Sequence, residues 1–132
     1  MKKKAFAALA AAVLLCGALT APAAAEQTYK KGDINMDGTV DVADAMLALI
    51  DYTNYLVAGN PHTLTDAQIE LADVDGVSKE SFGITSKVTS IDALLILAYY
   101  TETVSDPSVI NTDIVTWAKE KYPFVFEKED AP

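Results

Sequence analysis

The sequence predicts an all-α domain that is built from two copies of a loop–helix unit. The first observation is an internal repeat, in which residues 41–52 align with residues 89–100 at a constant offset of 48 positions. The second is that each copy places an acidic segment directly before an apolar segment that carries the signals of a helix start. The third is that no stretch of useful length alternates apolar and polar residues as a half-buried strand does. Two copies are too few for a solenoid, so we expect a pseudo-symmetric pair of units packed face to face.

Caps and breakers define the first two helices. The first helix should cover about residues 43–57, because a Gly-Asn-Pro segment at 59–61 stops it. A short middle helix should follow Thr65, whose hydroxyl can cap it. Gln68 stands three residues later and completes the signature of a capping box.

The same signals define a third helix and an additional helix near the C-terminus. The third should cover about residues 91–101, and Pro107 marks the exit loop. A fourth is expected over about residues 112–121, because Pro123 then ends it. The core fold is thus predicted to have three helices, with an extra C-terminal helix.

The first residues have the features of a secretory signal peptide. Three lysines at positions 2–4 precede an apolar run that ends at Pro22, and small residues stand before Glu26. This pattern predicts a signal peptide at residues 1–25 and a secreted, extracellular product without membrane insertion after processing. A membrane helix is the alternative, but the apolar run is short for a bilayer. A lipid anchor on Cys16 is less well supported than secretion, because the residue before that cysteine is a leucine.

The charge and the cysteine content limit the classes of partner. The formal net charge is −9, and loss of the three leader lysines would change it to −12. Such acidity disfavours nucleic acids and anionic membranes as partners and suits cations.

Cys16 is the only cysteine, so residues 26–132 cannot form a disulfide. A small secreted domain without disulfides often needs another stabilising element, such as a metal ion.

Residues 33–44 have the spacing of a calcium-binding loop. Gly38 lies at loop position six, where the chain must turn sharply, and Thr39 at position seven can offer its backbone carbonyl. Ca²⁺ takes six to eight oxygen ligands, and this spacing can wrap them around one point. The alternative is a solvated acidic turn. The side-chain oxygen donors at positions one, three, five, nine and twelve are Asp33, Asn35, Asp37, Asp41 and Asp44.

The second loop, residues 73–92, keeps the two ends of the same pattern and has eight extra residues between them. No acid stands clearly at position five, so calcium binding is expected to be weaker here than in the first loop. Glu80 or a serine of the insertion could fold back to the ion, and a metal-free loop held by packing is the alternative. The ligands expected in this loop are Asp73, Asp75, the carbonyl of Lys87, Thr89 and Asp92.

Residues 32–45 resemble the first repeat of a dockerin. The duplicated unit, the aspartate at position twelve and the lack of a helix before the loop are marks of that family, and the resemblance covers about residues 31–102. It implies a three-helix fold of two loop–helix (F-hand) repeats, two calcium ions and a cohesin partner on a scaffoldin. Dockerins fasten proteins into extracellular polysaccharide-degrading complexes. The division implied for this chain is a dockerin domain at 26–104, with repeats at 32–58 and 72–102, and a C-terminal extension at 105–132.

The first and third predicted helices are apolar on more than one face. A helix that is apolar all round is normally buried all round, and a domain of this size has little protein to cover both faces. The uncovered face is therefore a candidate interface, unless the C-terminal segment covers it. In dockerins, loop positions ten and eleven, here Val42-Ala43 and Ser90-Ile91, help to select the cohesin. The expected partner-binding residues are Val42, Ala43, Met46, Leu47, Ile50, Ser90, Ile91, Leu94 and Leu95.

The sequence does not favour an enzyme. His62 is the only histidine, and there is no Gly-x-Ser-x-Gly motif. Pairs of carboxylates could serve a glycosidase, but the spacing of these acids suits metal ligands better. The remaining alternative to a cohesin-binding module is a secreted calcium-binding protein without a cohesin partner.

Overall fold

A computed structural model describes residues 28–126, which form four α-helices and a small two-stranded hairpin. The predicted signal peptide at residues 1–25 lies outside the described residues. Within the described part, no helix has the length and apolar character that crossing a membrane requires.

Helix α1 covers Val42–Tyr52 and continues through a π-helical turn at Thr53–Val57. Its start depends on Asp41, whose carboxylate accepts a hydrogen bond from the N–H of Ala43, and on Asp44, which completes a capping box. The bounds agree with the expected helix at 43–57, but the change to π-helical geometry was not predicted.

Helix α2 covers Asp66–Ala72 and begins as predicted. Thr65 is its N-cap, and the hydroxyl of Thr65 accepts a hydrogen bond from the N–H of Gln68. The amide of Gln68 also donates to the carbonyl of Ile34 over 3.1 Å, so α2 is tied to the first acidic loop.

Helix α3 covers Ser90–Ser105, with Thr89 as its N-cap, and helix α4 covers Ile114–Lys121. Two short 3-10 turns, Pro107–Asn111 and Pro123–Val125, lie on either side of α4. The expected positions of both helices are confirmed, although α3 begins one residue before the predicted span 91–101 and ends four residues after it.

The all-α prediction is wrong in one element, because the extra residues of the second loop form an antiparallel hairpin. Strand β1 covers Lys79–Ser81 and strand β2 covers Ile84–Ser86, and Ser81 pairs with Ile84 across a two-residue turn. Strands of three residues are too short to show an alternating pattern, which is why the sequence did not reveal them.

The core lies between α1 and α3 and beneath the two acidic loops. Helix α4 closes one side of it, where Trp117 packs edge-on between Tyr99 and Tyr122 at centroid distances of 5.3 and 5.6 Å. The indole N–H donates to Glu102 of α3 over 3.0 Å. The C-terminal segment therefore covers one face of α3 and leaves another exposed. The core side chains include Ile34, Ala48, Val74, Val88, Leu95, Ile96, Tyr99, Ile114 and Trp117.

Asp51, near the end of α1, is fully buried and joins this helix to the segment before α2. Its carboxylate accepts hydrogen bonds from the backbone N–H groups of Thr63 (2.6 Å) and Leu64 (3.0 Å). The Nδ1 atom of His62 lies 2.8 Å from the same carboxylate, and the imidazole stacks on Tyr55. Burial alone would raise the pKa of Asp51, but these hydrogen bonds hold it below its ordinary value.

Candidate functional site

The first acidic loop is closed by the carboxylates at its two ends. Asp44 accepts hydrogen bonds from the N–H groups of Ile34 (2.7 Å), Asn35 (3.0 Å) and Asp41 (2.9 Å). Asp33 accepts from the N–H of Asp37 (3.1 Å) and from that of Gly38 (3.0 Å). The backbone of the loop thus folds around the carboxylates of Asp33 and Asp44.

The turn of this loop depends on glycine. Gly38 has a φ of 97°, a left-handed conformation that favours a residue without a Cβ atom. Asp37 lies exposed beside it and accepts hydrogen bonds from the hydroxyl and the N–H of Thr39. These bonds hold the pKa of Asp37 below its ordinary value, so this carboxylate is ionised and accessible to a cation.

Two carboxylates of the first loop are buried without a positive partner. Asp33 and Asp44 are almost inaccessible, and burial raises the pKa of Asp44. Across residues 28–126, the ion pairs within 4.0 Å involve other acids, namely Asp51, Glu70 and Glu102. Burying a carboxylate costs free energy unless a cation or hydrogen bonds compensate it. The backbone N–H groups supply part of this compensation, and a bound cation would supply the rest.

The second loop gathers three carboxylates into one group. Asp73, Asp75 and Asp92 each offer an oxygen atom, and these atoms all lie within 4.8 Å of one another. Asp75 and Asp92 are buried, whereas Asp73 is partly exposed. This group could hold a metal ion, and a set made of carboxylate oxygens suits a hard cation such as Ca²⁺.

Asp44 and Asp92 occupy the same place in the two repeats. Asp92 accepts hydrogen bonds from the N–H groups of Val74 (2.8 Å) and Asp75 (3.1 Å), as Asp44 does from the equivalent pair in the first loop. Each also completes the capping box of its helix. One aspartate in each repeat therefore closes the loop and starts the helix.

The two loops differ in how closely their acids approach one another. Among the described residues, the three acids of the second loop are the one group whose oxygens meet at such distances, and the acids of the first loop are more widely placed. Glu80 lies in strand β1 and is not a member of the group. The hydroxyl of Thr89 bonds to Asp92, and the side chain of Lys87 pairs with Glu70.

The predicted order of affinities, with the first loop tighter, can be tested by calcium calorimetry. The prediction of a tighter first site depends on the complete ligand spacing of residues 33–44. The close approach of the three acids in the second loop favours a tighter second site instead. We expect two resolved binding phases, with Asp33→Asn removing the tighter one and Asp73→Asn the weaker one. Equal affinities, or loss of the tighter phase in the Asp73 variant, would contradict the prediction.

Metal-free stability should depend on the protonation of Asp92. Burial, and then the charge of Asp75, raises the pKa of Asp92 to about 7. Protonated Asp92 therefore stabilises the metal-free fold below the ordinary carboxyl pKa, and this stabilisation is lost as the pH rises through about 7. In chelator, the thermal denaturation midpoint should fall as the pH rises from about 4 to about 7, and Asp92→Asn should flatten the profile. A profile that is the same in Asp92→Asn and in the wild type would refute this assignment.

Calcium binding to the second loop should show the opposite trend. The ion requires deprotonated carboxylates, so its affinity should increase as the pH rises through about 7, with protons released on binding. Calorimetry in two buffers of different ionisation enthalpy measures that release directly.

An apolar groove of about 200 Å³ runs between α1 and α3. Met46 and Leu94 occupy equivalent positions in the two repeats, and they are 57% and 61% exposed. The groove begins where each acidic loop passes into its helix, because Val42 and Ser90 are the first residues of α1 and α3. The residues that line it are Val42, Ala45, Met46, Leu49, Ser90, Ala93, Leu94 and Leu97.

The predicted partner-binding residues divide into three sets. Leu95 is only 3% exposed and belongs to the core, so its assignment to the interface is wrong. Leu47 and Ile91 are partly buried and pack against the core. The exposed members are Val42, Ala43, Met46, Ile50, Ser90 and Leu94.

Sequence reasoning missed four residues of the groove: Ala45, Leu49, Ala93 and Leu97. The spacing of these residues could have identified them, because the lining positions recur every three to four residues along each helix. An almost continuous apolar run hid this stripe, since both faces of the helix looked alike.

No protein-family model matches the sequence, and no curated protein matches it either. The features that bear on function are the two acidic loops and the groove between α1 and α3, the helices that begin at these loops.

Proposed function

We propose that the protein is a secreted, calcium-dependent docking module that binds a cohesin domain of a scaffoldin in an extracellular polysaccharide-degrading complex. The single observation that supports it most is the exposed apolar groove between α1 and α3, the two helices that start at the acidic loops. The proposal assigns the chain a binding role and no catalysis. Its one histidine, His62, is engaged with Asp51 and Tyr55.

Calcium and the groove are linked through the helix N-termini. Asp44 and Asp92 stand at the last position of their loops and at the third position of their helices. An ion that draws these carboxylates into its coordination sphere also fixes where α1 and α3 begin. Groove residues Val42 and Ser90 lie in those first turns, so partner binding should depend on calcium.

The composition of the groove supports a protein partner. Its lining is apolar except for Ser90, and several of its large side chains are exposed. Contiguous exposed apolar surface on a small domain marks an interaction site. The C-terminal segment packs on a different face of α3, through Trp117, and leaves this surface free.

The second candidate is a secreted calcium-binding protein without a cohesin partner. It is supported by the acidic loops alone, particularly by the group of Asp73, Asp75 and Asp92. This alternative leaves the apolar groove without a role.

The test is capture of the purified protein by a panel of purified cohesin domains, in calcium and in EGTA. We expect binding to at least one cohesin in calcium and none in EGTA. Ile110→Asp is a suitable control, because Ile110 is exposed and lies outside the groove. Calcium binding without capture by any cohesin would favour the second candidate.

A further inference from the structure

Helix α2 lies between the two acidic loops in sequence and is hydrogen-bonded to the first of them at both of its ends. Near its start, the side-chain amide of Gln68 donates to the carbonyl of Ile34, the second residue of the first loop, over 3.1 Å. Near its end, the carbonyl of Leu71 accepts a hydrogen bond of 2.8 Å from the N–H of Gly32, directly before that loop. Asp73, which follows the last residue of α2, is the first acid of the second loop. This helix therefore connects the beginnings of the two loops.

Two lysines add contacts between α2 and the loops. The Nζ atom of Lys31 donates to the carbonyl of Asp73 over 2.8 Å and also to the carbonyl of Glu70. The carboxylate of Glu70 pairs with Lys87, whose carbonyl is an expected calcium ligand in the second loop. This pair is exposed and contributes little stability by itself. It nevertheless joins a second point of that loop to α2.

Helix α2 has little support apart from these bonds. Ala72 is the one residue of the helix that is fully buried, and Ile69 is partly buried against the core. The helix does not pack closely against α1, α3 or α4. A helix of only seven residues is not stable alone in water. The position of α2 therefore depends on its hydrogen bonds to the segments that begin the two loops.

One peptide group joins a carboxylate of the first loop to α2. The N–H of Asn35 donates to Asp44 over 3.0 Å, and the carbonyl of Ile34 belongs to the same peptide group. That carbonyl accepts the hydrogen bond from Gln68. Asp44 is an expected calcium ligand, so the state of the first loop is transmitted to α2 through a single rigid unit.

We propose that α2 couples the two calcium loops, so that calcium in one loop strengthens calcium binding to the other, with Gln68 as the positioning residue that links the first loop to α2. This inference rests on the proposed function, which assigns calcium to both loops. An ordered first loop fixes the peptide group that Gln68 binds and thereby holds α2, so Asp73 is already in place for the second loop. The ordering of α2 is needed only once for two ions, which gives positive coupling. Linkage makes this coupling reciprocal.

Calorimetry with calcium alone measures the coupling. In the wild type, the second loop is expected to fill after the first, so its Kd is measured with the first loop occupied. Asp33→Asn disables the first loop, and the Kd of the second loop should then rise at least about fivefold. If the second loop fills first instead, Asp73→Asn gives the same comparison for the first loop.

Gln68→Glu removes the link while it keeps the start of the helix. A glutamate still offers an oxygen to the N–H and the hydroxyl of Thr65, so the capping box remains, but it cannot donate to the carbonyl of Ile34. The Kd of the second loop should rise at least about fivefold although the first loop is intact. Asp33→Asn should then have little further effect. The added negative charge alone would strengthen cation binding, so it cannot produce this result.

Ala67→Glu is the matched control, because it adds the same charge at an exposed position of α2 that is bonded to neither loop. Both Kd values should stay within about twofold of the wild type. The helical circular dichroism at saturating calcium checks that each variant is folded.

The outcomes separate this proposal from the docking function. Equal Kd values for the second loop in the wild type and in Asp33→Asn would overturn the coupling and leave the docking function standing. Coupling of undiminished size in Gln68→Glu would assign it to folding of the whole domain and would overturn the role of α2. A wild type that binds no calcium would overturn both the coupling and the calcium dependence of docking.

Discussion

Chelation of calcium is expected to collapse the helical circular dichroism of this protein, and added calcium is expected to restore it. The fold has no disulfide within residues 26–132, and four carboxylates in its two loops are buried. Because the complete site exists only in the folded chain, the free energy of metal binding becomes free energy of folding. The buried carboxylates are Asp33, Asp44, Asp75 and Asp92.

The size of this effect follows from linkage. Calcium at about 1,000 times its Kd adds ~4 kcal/mol of stability per site, if the unfolded chain does not bind it. In a domain of this size, that corresponds to a shift of roughly 15–30 °C in the thermal midpoint. Identical cooperative unfolding in calcium and in EGTA would disprove the coupling.

Two variants separate metal binding from general stability. Asp33→Ala combined with Asp44→Ala should mimic chelation of the first site, because both ends of that loop lose their carboxylates. Asp51→Ala removes a carboxylate that is equally buried and hydrogen-bonded but lies outside both loops. It should lower stability by ~2–3 kcal/mol, through unpaired backbone N–H groups, and leave the increment from calcium unchanged.

Leu94→Asp is expected to abolish partner binding while the fold survives. Leu94 is exposed and lines the groove, so the change should cost little in the free chain. In the complex, an unpaired carboxylate would be buried against an apolar surface. That costs at least ~3 kcal/mol, or more than about a hundredfold in Kd. Surface binding measures the Kd, and circular dichroism checks the fold.

The matched variant is Met46→Asp, at the equivalent position of the first repeat. We expect a smaller loss, about tenfold, because the two repeats present different residues at their helix starts, Val42-Ala43 in α1 and Ser90-Ile91 in α3. If each single variant binds normally and only the double variant fails, the partner docks equally well in two opposite orientations. That result would refute the expected asymmetry.

Local chemistry made much of this fold predictable. The capping box of Thr65 and Gln68 located α2, and the paired positions of Asp44 and Asp92 located the starts of α1 and α3. These signals act within a few residues, so they can be recognised in the sequence before the tertiary structure is known.

Contacts between distant segments were not predictable in this way. The burial of Leu95 depends on which face of α3 meets α1 and α4, and an apolar helix does not disclose that choice. The hairpin turn uses Phe82-Gly83 in place of the usual Asn-Gly, so its sequence gave no sign of a turn. The hydrogen bond between Asp51 and Thr63 could not be predicted either, because it depends on how the segment after α1 folds back onto the helix.

Positions 51 and 99 are equivalent in the two repeats, but the side chain at position 51 accepts hydrogen bonds from the following segment, whereas the side chain at position 99 donates one. Asp51 accepts hydrogen bonds from the backbone that follows α1, whereas the hydroxyl of Tyr99 donates one to the carbonyl of Thr112, after α3. Each helix thus holds the start of its own downstream segment by a hydrogen bond. The shared loop–helix unit can therefore carry different continuations, α2 after the first copy and α4 after the second.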